Sequence, residues 1–117
     1  MGQRLEVIKG DSARTIARWQ EKRPKIRCNI MSVDGGHSLQ NALHDLQSFW
    51  LVASPLFNLL FVDDTNCQPP MDQHPWCNGP QQAVQVMERQ GAIRTLMGFS
   101  EKGGSRGLTL FHTNYAT

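Results

Sequence analysis

Val33-Asp34-Gly35-Gly36-His37 decides the fold of this chain, together with Leu59-Leu60-Phe61-Val62-Asp63-Asp64 further along. Each stretch places carboxylates directly after an apolar run, and a segment with helical spacing separates the two. The pattern predicts two parallel strands joined by a helix. The carboxyl ends of parallel strands meet at one edge of a sheet, which is where ligands bind in open α/β folds. We therefore expect the acidic residues and His37 to share one small volume.

Carboxylate oxygens are ligands that Mg²⁺ prefers, and a neutral imidazole is a base near pH 7. Asp34 alone has an ordinary explanation, since Asp often hydrogen-bonds the backbone of a turn. The adjacent pair Asp63-Asp64 is harder to explain without function, because two neighbouring carboxylates repel each other unless a cation or donors offset them. The residues thus predict a divalent-cation site with a proton acceptor beside it.

The rest of the chain alternates strands and helices, which favours an α/β fold. Apolar residues on both faces of the strand at 26–33 indicate burial on both sides, as in a parallel sheet. A Gly-rich connector between the last two strands predicts an antiparallel hairpin. We predict one domain over residues 1–117 with a mostly parallel sheet. Its expected elements are a strand at 5–8, a helix from Asp11 or Ser12 to about Glu21, strands at 26–33 and 58–62 around a helix capped by Ser38, a loop at 65–79, a helix from Pro80 to Gln90, and strands at 93–99 and 108–113.

Composition limits the classes of function. No apolar run approaches the roughly 20 residues that cross a bilayer, and the first residues lack the apolar core of a signal peptide, so we expect a cytoplasmic protein without a membrane partner. The net charge of +2 is uneven: residues 1–27 hold eight Lys and Arg against three Asp and Glu. Aromatic residues do not alternate with these basic ones, which favours a solvated surface over a nucleic-acid site.

The three cysteines, Cys28, Cys67 and Cys77, are an odd number in a chain without a secretory signal. We interpret them as reduced thiols, with Cys28 as a small core residue. Cys67 and Cys77 share a loop with His74, but a zinc site would need a fourth ligand and tighter spacing. A Cys67–Cys77 disulfide remains open as an alternative.

The run from Val33-Asp34-Gly35-Gly36-His37 through Asp45-Leu46 to Val62-Asp63-Asp64-Thr65 resembles class I S-adenosylmethionine-dependent methyltransferases. It is most similar to the metal-dependent sugar O-methyltransferases, which carry Asp-Gly-x-His after the fourth strand and an acidic pair after the fifth. Gly10-Asp11-Ser12 resembles that family's turn after the third strand. The last two strands resemble its sixth and seventh. The resemblance covers roughly residues 4–114.

The resemblance implies a role for each matching residue. Asp34, Asp63 and Asp64 would hold a magnesium-like ion that orients a small-molecule hydroxyl acceptor. His37 would take the proton from that hydroxyl. Asp11, Ser12 and Asp34 would contact S-adenosylmethionine, with the first two beside its adenine ring.

The sequence departs from this family in one respect. The family's first strand with its Gly-rich turn, and the second strand with its ribose-binding acid, have no counterpart here. In the family's sheet order (third, second, first, fourth, fifth, seventh, sixth) the two missing strands are central. Either the strand at 5–8 pairs directly with the strand at 26–33, or the edge near Ile30 stays exposed and invites another chain.

We therefore expect a fragment or truncated form, with a homo-oligomer or a missing N-terminal segment completing the sheet. The alternatives are a non-catalytic, degenerate Rossmann-like module for binding or assembly and, less favoured, another metal-dependent α/β enzyme such as a hydrolase.

Overall fold

The computed structural model describes residues 4–100 and 107–113, without the side chains of residues 75, 76, 100 and 107–113. The predicted Gly-rich connector at 101–106 lies outside the described residues. The helices and strands agree with the predicted order after the first element. They are α1 (Ser12–Lys22), β1 (Ile30–Val33), α2 (Leu39–Val52), β2 (Leu59–Asp63), a short 3₁₀ helix (Met71–Gln73), α3 (Pro75–Arg89), β3 (Ile93–Ser100) and β4 (Gly107–Thr113).

Both predicted helix caps are confirmed. The Asp11 carboxylate accepts a hydrogen bond from the Ala13 backbone N–H at 3.1 Å, and the Ser38 hydroxyl accepts one from the Asn41 backbone N–H at 3.1 Å. Each cap satisfies an N–H group that has no partner inside the helix. The starts of α1 and α2 are therefore fixed by local sequence chemistry.

The four strands form one sheet in the order β1-β2-β4-β3. β1 and β2 pair in parallel, whereas β2–β4 and β3–β4 pair in antiparallel fashion. The sheet described here is thus mixed, and the expectation of a mostly parallel sheet is wrong. A single crossover through α2 makes the parallel pair, and the two C-terminal strands then run along the other side of β2.

The predicted strand at residues 5–8 is wrong. These residues have no regular secondary structure, and Leu5 is 81% exposed. Strand-forming side chains are not sufficient, because a strand needs a neighbour to satisfy its backbone groups. β1 is left as an edge strand of the described sheet, and the Ile30 side chain is 65% exposed.

Only one face of β1 is buried, contrary to the expected burial of both. Met31 and Val33 lie in the core, while Ile30 and Ser32 are exposed. The same alternation places Leu60 and Val62 of β2 inside. The core formed around them joins β1, α2, β2 and α3, and its largest fully buried apolar side chains are Leu46, Leu60, Met87, Val52 and Val62.

The third helix begins five residues earlier than predicted. Pro80 was expected at the first helical position, but Pro75 occupies it and Pro80 lies inside α3. Both prolines suit a helix start, and local sequence does not distinguish them. The expected loop at 65–79 is correspondingly shorter and contains the 3₁₀ helix.

The cysteine prediction is wrong for two residues. Cys67 and Cys77 form a disulfide, and Cys28 is a free, half-buried thiol. The bond joins the segment after β2 to the first turn of α3. Disulfides persist mainly in oxidising environments, so this bond does not favour the expected cytoplasmic location. Across the described ranges, none of the helices is both long enough and apolar enough to span a bilayer.

α1 is attached to α2 through a buried carboxylate. The Ser12 hydroxyl donates a hydrogen bond of 2.6 Å to Asp45 Oδ1, and Asp45 is only 7% exposed. In the sequence, Asp45 shares one side of α2 with polar residues, which predicts that this side faces solvent. Its burial is possible because Ser12 supplies a partner.

Replacing Ser12 by Ala and Asp45 by Asn, singly and together, should reveal a coupling free energy of about 1 to 3 kcal/mol, the range for a hydrogen bond to an acidic group. Chemical denaturation of the four proteins measures it. The matched control is Ser48→Ala, since the Ser48 hydroxyl hydrogen-bonds the exposed His44 ring on the same helix. Additive effects of the two substitutions would contradict the inferred role of this bond.

Candidate metal centre

The register of the parallel pair positions the acidic residues. Val33 of β1 is paired with Val62 of β2. Asp34 directly follows the first of these residues and Asp63 directly follows the second, so their backbones leave the sheet side by side. This is the arrangement predicted from the two apolar runs.

His37 joins these carboxylates. Asp34, His37 and Asp64 each offer one ligand atom, and the three atoms lie within 4.8 Å of one another. The His37 Nε2 atom is 3.1 Å from Asp64 Oδ2. The sequence had assigned Asp63 to the cation and His37 to proton transfer. In the structure His37 occupies the third ligand position of this group, and Asp63 lies next to it.

The turn after β2 determines the directions of the Asp63 and Asp64 side chains. Asp64 has a positive φ of 58°, a conformation that Asp tolerates better than most residues. Its backbone N–H donates a hydrogen bond of 3.0 Å to Asp63 Oδ1. The turn sends the side chain of Asp64 toward His37, while the Asp63 carboxyl shares a hydrogen bond with that of Asp34.

The cluster is electrostatically unfavourable for Asp34. Partial loss of water around its carboxyl raises the pKa of Asp34, and the charges of Asp63 and Asp64 raise it further, as does the hydrogen bond with Asp63. His37 opposes this effect. Crowded carboxylates of this kind are offset by a bound cation, so the chemistry of these residues fits a divalent ion.

Helix α3 lies directly against the His37 turn. A Cβ atom on Gly79 would overlap the His37 carbonyl oxygen and would lie 2.8 Å from the Ser38 carbonyl carbon. Only glycine permits so close an approach of two backbones. This contact could not be predicted from the sequence, because the residues before Gly79 have the pattern of an irregular loop.

The predicted cofactor residues are separated by the structure. Ser12 and Asp34 line a cavity of about 650 Å³ between α1, α2 and β1, together with Trp19 and Asp45. That volume is in the range of small-molecule pockets. The Asp11 side chain instead caps α1 and is exposed. The cavity adjoins the unpaired edge of β1.

Comparison with known proteins gives one informative result. No protein-family model matches the sequence, and no curated protein matches it. A solved structure from Klebsiella pneumoniae, described as a "putative O-methyltransferase", superposes with a TM-score of 0.59 at 16% sequence identity. The likeness covers 84% of this chain and 46% of the other.

The chain has a methyltransferase-like fold. It spans a little under half the length of the Klebsiella protein.

Replacing Asp34 by Asn should stabilise the cation-free protein at pH 7, by about 2 to 4 °C in Tm for one exposed like-charge contact. Because folding raises the pKa of Asp34, its ionisation destabilises the native state at any pH above the folded pKa. That cost disappears as the pH falls below the ordinary pKa of Asp. The difference between the two proteins should therefore vanish toward pH 3.

Calorimetric unfolding in chelator at both pH values measures this difference. The control is Glu21→Gln on the exposed part of α1, which removes a carboxylate away from the cluster. A lower Tm for Asp34→Asn than for the wild type at pH 7 would contradict the inferred repulsion.

Replacing Gly79 by Ala should destabilise the protein by about 1 to 3 kcal/mol, although Ala normally stabilises a helix relative to Gly. The added methyl group must displace either α3 or the backbone at His37. Denaturant unfolding gives the loss of stability, and the NMR shifts of the His37 ring report the displacement. Gln85→Ala, at an exposed position of the same helix, should change neither quantity.

Proposed function

We propose that this chain is part of an S-adenosylmethionine-dependent O-methyltransferase in which a divalent cation, Mg²⁺ in our proposal, assists methyl transfer to a small hydroxyl acceptor. The observation that carries the proposal is the juxtaposition of Asp34, His37 and Asp64 at the carboxyl ends of β1 and β2. A methyltransferase-like fold makes this edge of the sheet the expected ligand side.

The cation would be held by Asp34, Asp63 and Asp64. The donor set fits, because oxygen ligands suit Mg²⁺ and a cation would offset the charges of Asp63 and Asp64, which add to the effect of desolvation in raising the pKa of Asp34. When bound, the ion would supply a positive charge that orients the acceptor hydroxyl and lowers its pKa. The three carboxylates would position the acceptor relative to the methyl donor.

His37 would accept the proton from the hydroxyl. Its Nε2 atom is 3.1 Å from Asp64 Oδ2, so Asp64 is placed to orient the ring and to stabilise the imidazolium that forms on proton transfer. The same geometry allows His37 to be a cation ligand instead. A nitrogen that coordinates a cation cannot take a proton. One ring nitrogen of His37 therefore cannot be both the cation ligand and the proton acceptor.

Ser12 and Asp34 would contact the S-adenosylmethionine, with Asp11 nearby, because the first two line the cavity of about 650 Å³. Ser32 and Val33 of β1 also line this cavity, and β1 is the edge strand of the described sheet. We propose that a further strand covers this edge, from an N-terminal segment beyond these residues or from a second copy. By itself the 117-residue chain should bind the cofactor weakly.

Asp63→Asn and Asp64→Asn should each reduce magnesium-dependent methyl transfer by about 10- to 100-fold, the usual effect of disturbing a metal site. The assay follows a radiolabelled methyl group from S-adenosylmethionine to a panel of sugars and phenols, with MgCl₂ or with chelator. Asp72→Asn, in the 3₁₀ helix, is the control. Full activity in chelator would contradict the role of the cation.

His37→Gln separates the two roles of the imidazole. If His37 is the base, turnover falls by about 10² to 10⁴ while the affinity for MgCl₂, measured by calorimetry, is retained. If His37 is a ligand, the turnover and the affinity for MgCl₂ both fall.

The alternative is a non-catalytic module for binding or assembly. The exposed edge of β1 favours it, since an unpaired, apolar edge is a surface for pairing with another chain. An absence of both methyl transfer and cofactor binding, with retained association through this edge, would favour the module over the enzyme.

A further inference from the structure

The disulfide completes a closed path of covalent bonds and contacts around the candidate cation cluster. Asp64 leads, three residues later, to Cys67, which is bonded to Cys77 at the start of α3. Two residues after Cys77, Gly79 lies against the His37 backbone. His37 then returns to Asp64 through the 3.1 Å contact between its Nε2 atom and the carboxylate.

The disulfide shortens the covalent path between Asp64 and Gly79, which lie on opposite sides of this closed path. Along the chain, Asp64 and Gly79 are fifteen residues apart, and residues 65–70 and 74 between them form no helix or strand. Through the disulfide, the path consists of three residues before Cys67 and two after Cys77. A shorter tether leaves less freedom for α3 to move relative to Asp64.

The segment that carries Cys67 is also fastened without the disulfide. The Cys67 backbone N–H donates a hydrogen bond of 2.7 Å to Gln81 Oε1 of α3. Cys67 and Cys77 are only 5% and 3% exposed. The disulfide therefore belongs to a packed junction between the β2 turn and α3, in which the hydrogen bond to Gln81 is a second link.

We propose that the Cys67–Cys77 disulfide is a positioning element of the cation cluster, which holds the Asp64 carboxylate beside His37 in the place where it would bind a divalent ion together with Asp34 and Asp63. This inference rests on the proposed cation site. Neither cysteine belongs to the group of candidate ligands. The disulfide acts through Asp64 on one side and through Gly79 and His37 on the other.

Breaking the disulfide should weaken cation binding by about tenfold or more, as for other residues that orient metal ligands. The first comparison is the oxidised wild type against the same protein reduced with an excess of dithiol. In that reaction the S–S bond takes up two electrons and two protons to give two thiols, and the dithiol closes to its own disulfide. Calorimetry with MgCl₂ and with MnCl₂ gives the affinities.

The second comparison is the Cys67→Ser/Cys77→Ser variant, which avoids the reductant. Loss of the closed loop should reduce its stability by about 2 to 3 kcal/mol. The matched control is Val52→Ala, a core substitution of similar expected cost at the opposite end of β1 from the cluster, beside Cys28. The control should retain the wild-type affinity for both ions, which separates positioning from general destabilisation.

A spectroscopic measurement adds a local readout. Mn²⁺ should broaden the NMR signals of the His37 ring in the oxidised protein, and the broadening at the same Mn²⁺ concentration should be smaller after reduction. Equal affinity and equal broadening in the oxidised and reduced forms would overturn the positioning role while leaving the cation site intact. No binding of either ion by the oxidised protein would overturn the cation site, and the positioning role with it.

Discussion

The parallel pairing of β1 with β2 is the constraint on which the rest of the site depends. The register that sets Val33 opposite Val62 brings Asp34 beside Asp63, although 28 residues separate them in sequence. A shift of one residue would turn every side chain of β1 to the opposite face of the sheet. The buried residues Met31, Val33, Leu60 and Val62 therefore fix the position of the carboxylates through the hydrophobic core.

This pairing brings negatively charged carboxylates close together, and other parts of the fold determine where their side chains lie. Partial desolvation raises the pKa of Asp34, and the neighbouring charges of Asp63 and Asp64 raise it further. The positive φ of Asp64 turns its side chain toward His37, and α3 supports the His37 backbone through Gly79. In the proposed cation site, elements that would not contact the ion therefore position the side chains that would.

Local chemistry made several elements predictable. Asp11 and Ser38 cap helices where the sequence indicates, and the apolar runs before Asp34 and Asp63 form the parallel pair. The failures have a common cause, since each depends on a partner distant in sequence. Residues 5–8 have strand-forming side chains but no neighbouring strand, and Asp45 is buried because Ser12 pairs with it. Pro75 and Pro80 are equivalent as helix starts until the disulfide joins Cys77 to Cys67.

The sequence by itself determined the carboxylates at two strand ends, the helix between them and the resemblance to a methyltransferase, because short-range spacing and capping govern these features. Only the tertiary structure decided that the sheet is mixed, that β1 has an open edge, and that His37 faces Asp64. It also decided that a disulfide and a close backbone contact at Gly79 enclose the cluster. These features arise from packing between segments far apart in the chain, whose contacts no local pattern encodes.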